Sequence, residues 1–88
     1  MSPELTKFLA QLAETVAAAD LLFGQSEASV SEPDIVAAAK SVQDLSECLE
    51  QFDGDEKRLA AKDLGDALDA IAKNRDAAAR RWNDERQS

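Results

Sequence analysis

The stretch EPDIVAAAKSVQDLSECLEQF, residues 32–52, carries apolar side chains at Ile35, Ala38, Val42, Leu45, Leu49 and Phe52. The steps between them alternate three and four. That spacing keeps all six on one side of a helix, whereas a strand repeats every two residues. The stripe is narrow, like the seam of a coiled coil, so it suits packing against one or two other helices. Ser31 and Asp34 ahead of it have capping-box spacing, Val30 and Ile35 have the spacing of a hydrophobic staple, and Pro33 lies in the first turn.

Working outward, residues 3–23 read as a first helix. Ser2 can cap it and Pro3 suits its first position. Leu5, Phe8, Leu9, Leu12, Val16 and Ala19 form its stripe, Leu21, Leu22 and Phe23 close it, and Gly24 suits a left-handed position after the C-cap. Residues 24–32 are a polar connection. Gly54 can end the second helix, and Asp53 or Asp55 can start a third over about 55–86. Leu59, Leu64, Leu68 and Ile71 stripe that helix, and Ala78 and Trp82 continue the line. Two short connections between three helices imply an antiparallel up-down-up bundle. The expected fold is therefore all-α, a single three-helix antiparallel bundle over residues 1–88 with an extended third helix. Its expected core is Leu5, Phe8, Leu12, Val16, Phe23, Ile35, Val42, Leu45, Leu49, Phe52, Leu64, Leu68 and Ile71.

At about 1.5 Å per residue the first two helices are about 31 Å long and the third about 48 Å, which leaves about 15 Å overhanging. Residues 74–88 form this overhang, and Trp82 sits on it with its ring exposed. The stretch from 72 to 88 holds five bases and three acids, while the other 71 residues hold five bases and fifteen acids. Three outcomes are open: a break near Asn74 that folds the tail back, fraying in solvent, or cover by a second chain. Residues 25–54 carry seven acids and one lysine, so the tail could lie on the acidic middle helix of its own chain or of a neighbour. Such self-complementarity suits a two-fold dimer, and a homodimer is the expected assembly.

Composition narrows the function. The 88 residues include no histidine and no tyrosine. That removes the commonest general base, the commonest metal ligand and every Ser–His or Cys–His pair, so the chain reads as a non-enzyme without cofactor or metal. Asp53, Asp55 and Glu56 lack the spacing of a calcium loop and read as helix-capping acids. Asp63, Asp66 and Asp69 lack the Glu-x-x-His partners of bundle metal sites and read as a solvated face. The single cysteine, Cys48, reads as a small apolar side chain beside the seam. One cysteine, no long apolar run and no basic, apolar leader point to a cytoplasmic protein outside the membrane.

A net charge of −8 disfavours direct binding to nucleic acid or anionic lipid and favours a basic protein partner. Two interaction surfaces stand out. Arg75, Arg80, Arg81 and Trp82 in the tail are residue types enriched at interface hot spots. Asp44, Glu47 and Glu50 form an acidic face opposite the seam. The expected function is a non-catalytic protein–protein interaction module, meaning a small adaptor, chaperone-like or regulatory subunit. The alternative is an acidic decoy that imitates nucleic acid, such as a phage-type anti-defence protein, and blocks a basic channel.

Overall fold

The computed structural model describes residues 2–87. These form α1 (Pro3–Phe23), a 3-10 turn (Glu27–Ser29), α2 (Glu32–Cys48), a second 3-10 turn (Leu49–Gln51) and α3 (Gly54–Gln87). There is no strand among the described residues, so the chain is all-α as expected. None of the helices is long and apolar enough to cross a membrane.

Local chemistry explains the helix starts. The Ser2 hydroxyl accepts from the Leu5 N–H at 3.2 Å, and Pro3 occupies the first turn where its missing N–H leaves no bond unmade. The Ser31 hydroxyl accepts from the Asp34 N–H at 3.4 Å. Caps of this kind are each worth about 1 kcal/mol.

Two boundaries depart from the sequence expectation. Gly24 is right-handed, with φ −82°, because its N–H still bonds to the Asp20 carbonyl of α1. The second helix ends as an α-helix at Cys48 rather than running to 52. Its last turn tightens over Leu49–Gln51, and Phe52 is extended at φ −99°, ψ 152°. This change of direction turns the Phe52 ring onto Phe8, edge to face at 5.4 Å. Gly54 follows with φ +59°, a conformation in which an L side chain is strained.

α1 and α3 lie side by side and run the same way. Near their starts the Ser2 N–H donates to Glu56 Oε2 at 3.1 Å, and near the end of α1 the Arg81 guanidinium reaches the Phe23 carbonyl at 2.6 Å. α1 packs along both other helices, whereas α2 and α3 come together mainly at the Leu49–Gln51 turn that joins them. Leu5, Phe8, Leu12, Leu45, Phe52, Ala60 and Leu64 form one buried cluster at that joined end. At the other end Ala19, Leu22 and Ala78 are buried, while Phe23, Val42, Leu68 and Ile71 are half-buried. Ile35, expected in the core, is 46% exposed. The reason is the splay of α2: the early part of its seam faces α3 across an open groove and does not pack on it.

The overhang is also corrected. α3 continues unbroken through Asn74, whose side-chain amide donates to Asp20 of α1. Its 34 residues, at about 1.5 Å each, account for the 51 Å long axis of the molecule. The tail neither folds back nor stands bare. Its own chain's α1–α2 connection runs on past α1 and lies against it. Counting only helix lengths treats that connection as if it had no reach.

Candidate functional site

The end of the molecule where α1 stops and α2 begins gathers most of the residues singled out in the sequence. α1 has no basic residue in its last turn, so nothing in its own helix offsets the negative end of its dipole. Arg81 supplies that charge from α3. Its Nη2 donates to the Phe23 carbonyl at 2.6 Å and to the Gln25 carbonyl at 2.8 Å. Trp82 Nε1 also donates to the Gln25 carbonyl, at 2.8 Å, and its ring lies 6.3 Å from the Phe23 ring, tilted by 45°. One turn on, Arg86 Nε donates to Glu27 Oε1 at 2.7 Å and Nη2 lies 2.6 Å from Oε2. Side chains from one short stretch of α3, those of Arg81, Trp82 and Arg86, therefore fasten the connection to that helix. Trp82 is half-buried rather than exposed as expected.

The other tail residues face outward. Arg75 is exposed and lies 3.6 Å from Asp76, and Arg80 is exposed. The acidic face is exposed as well: Asp44, Glu47 and Glu50 all lie on the surface, with Glu50 3.8 Å from Lys57. Surface pairs such as these contribute little to stability. Arg75 and Arg80 lie on α3, whereas Asp44 and Glu47 lie on α2 and Glu50 in the turn after it. They belong to different parts of the molecule.

Between the late part of α1, the early part of α2 and the middle of α3 lies a half-enclosed groove of about 470 Å³. Leu22, Ile35, Val42, Leu68 and Ile71 wall it, with alanines between them, and Thr15 and Arg75 are its two polar lining residues. The spacing of the seam marks these positions as one face. It carries no sign that the face stays partly open. The nearest signal is compositional, since residues 37–39 are an alanine run, and Ala38 and Ala39 line the groove where a close-packed seam uses larger side chains.

The remaining carboxylates resolve into ordinary roles. Glu56 accepts from Ser2, whose hydroxyl and backbone N–H hold its carboxyl below the ordinary value. Asp55 lies 3.7 Å from Arg58. Asp63 and Asp66 line a shallow cleft with Asp20, and Asp66 pairs with Lys62 at 3.3 Å. Among the described residues no three His, Cys, Asp or Glu side chains come together as a metal site. Cys48 is a free, half-buried thiol. Comparison with protein-family models, curated proteins and solved structures finds no match to this chain.

Proposed function

We propose that this chain is a non-catalytic protein–protein interaction module, an antiparallel three-helix bundle that acts as a small adaptor, chaperone-like or regulatory subunit and self-associates as a dimer. One observation carries the reading. Leu21 is 73% exposed, Val36 58% and Ile35 46%, all at the end where α1 gives way to α2. Apolar side chains gathered at one end of a small soluble chain favour burial against a partner. The exposed Arg75 and Arg80 supply a charged rim, which sets orientation and association rate more than affinity. Arg81 and Trp82 act from beneath by holding the connection in place.

The test is solution mass by light scattering over a range of concentrations, for the native chain and for Val36→Glu. Val36 is exposed, so the substitution leaves the fold intact. A dimer that Val36→Glu converts to a monomer of unchanged melting temperature supports the reading. A native monomer at every concentration, together with a Val36→Glu variant that retains every partner interaction, overturns it.

The exposure of Asp44, Glu47 and Glu50 favours a second reading, the acidic decoy. That reading requires binding to a basic nucleic-acid channel that weakens steeply as salt rises. Affinity that does not respond to salt removes it.

A further inference from the structure

The groove shares Ile35 with the exposed apolar residues, but it is concave and has Arg75 on its lining. Protein interiors are close-packed, and an apolar gap forfeits the contacts its walls would otherwise make. A volume of about 470 Å³ lies within the range of small-molecule sites, which run from about 300 to 1,000 Å³. An α-helix with its side chains is about 10–12 Å across, so the same space holds only about one turn of a partner helix. The gap therefore fits a thin, flexible apolar chain better than a second helix.

Charge identifies the end of that chain. Of the two polar lining residues, Thr15 gives its hydroxyl hydrogen to the Gln11 carbonyl at 2.9 Å. Arg75 is the one charged residue lining the groove, and it is a cation in a protein of net charge −8. Its side chain is 64% exposed, so the guanidinium stands at the mouth and not on the floor. Its contact with Asp76 is a solvent-exposed pair at 3.6 Å, and a guanidinium has five N–H donors to share. The distant acids are screened beyond a Debye length of about 8–10 Å at physiological salt.

We infer that the groove binds a single-chain fatty carboxylate, with the acyl chain among Leu68, Ile71, Ala38 and Ala72 and the carboxylate on Arg75. The chain contains its own reporter. Its single tryptophan, Trp82, packs on Phe23, and Phe23 lines the groove. A ligand that moves Phe23 changes Trp82 emission.

The experiment titrates sodium laurate, below its micelle threshold, and 1-dodecanol against the full chain, following Trp82 emission and heat. Laurate should bind saturably, one to one, and about tenfold more tightly than dodecanol, as one charge-assisted hydrogen bond allows. Arg75→Gln should bring laurate down to the dodecanol affinity. Ala72→Leu, which fills the groove, should keep the helical fold and abolish binding of both. Four results overturn the proposal: no saturable laurate binding; equal binding of laurate and dodecanol with Arg75→Gln silent; undiminished laurate binding by folded Ala72→Leu; or a ligand-free dimer that Ala72→Leu dissociates, which assigns the groove to a second copy. Because dimer mass and laurate affinity are read separately, failure here is distinct from failure of the docking reading.

Discussion

The two ends of this bundle are built from the same three helices and held in different ways. At the joined end, Leu5, Phe8, Leu12, Leu45, Phe52, Ala60 and Leu64 close around each other, and Phe8 and Leu5 are each only 1% exposed. At the open end Ala19, Leu22 and Ala78 are buried, Phe23, Val42, Leu68 and Ile71 are only half-buried, and polar contacts do the fastening: Arg81 and Trp82 on the Phe23 and Gln25 carbonyls, Arg86 on Glu27. The joined end derives its stability from apolar burial. The open end combines a modest aromatic contact with hydrogen bonds exposed to water, each of small net value. A chain this small has little stability to spare. Concentrating the core at one end leaves the other free to present apolar surface.

Substitutions can break that contrast. Phe8→Ala removes a fully buried ring and its edge-to-face partner, and should cost about 3–5 kcal/mol, enough to leave much of the chain unfolded in a denaturant melt. Ile35→Ala, at a position the seam marks as equivalent, should cost less than about 1 kcal/mol because the side chain is largely in water. Equal losses at the two positions would mean that α2 closes onto α3 in solution. Trp82→Ala removes a half-buried ring and the Gln25 bond. It should cost about 2 kcal/mol and expose the amides of 78–87 to exchange while leaving the Phe8 cluster protected.

Two smaller effects sharpen the comparison. Gly65 is exposed, lies within α3, and has nothing within 4 Å of the place a Cβ would take. Gly65→Ala should therefore stabilise by up to about 1 kcal/mol, whereas Gly54→Ala, at φ +59°, should destabilise by about that much. Glu56 ties the starts of α1 and α3 together. Its carboxyl is held below the ordinary value in the folded chain, so its small contribution is complete above the ordinary carboxylate range and is lost as pH falls through the folded value. Glu56→Gln should melt slightly below the native chain at neutral pH, and the difference should close as acid protonates the Glu56 carboxyl of the folded chain. A gap that persists in acid assigns Glu56 a role other than its charge.

Much of the fold was legible in the sequence because its signals are local. Ser2 and Pro3 mark the start of α1 through one hydroxyl and one missing N–H, and the three-and-four spacing marks a helical face from Ile35 to Leu45, although its continuation to Phe52 overruns the α-helix, which ends at Cys48. What the spacing lacks is depth. It treats Ile35 and Leu45 alike, although one is 46% exposed and the other 3%, because burial depends on whether α3 packs on them. Ala60 and Ala78 are both fully buried, yet alanine gives almost no periodic signal of its own. The tail was conspicuous through its charge and its tryptophan. Its contacts lie 56 to 59 residues away along the chain, on backbone carbonyls and on Glu27, and carbonyls have no sequence signature. The clue in hindsight is that α1 lacks a basic residue at its end. The groove was invisible for a related reason, since an absence of packing is a property of three helices together.

The division between a closed, stabilising end and an open, presenting end is tested most directly by native-state hydrogen exchange read amide by amide. The amides of residues 8–16 and 60–68 should exchange only through global unfolding, and those of residues 36–42 through a local opening of much lower free energy. Uniform protection along α2, at the level of the Phe8 cluster, would contradict it.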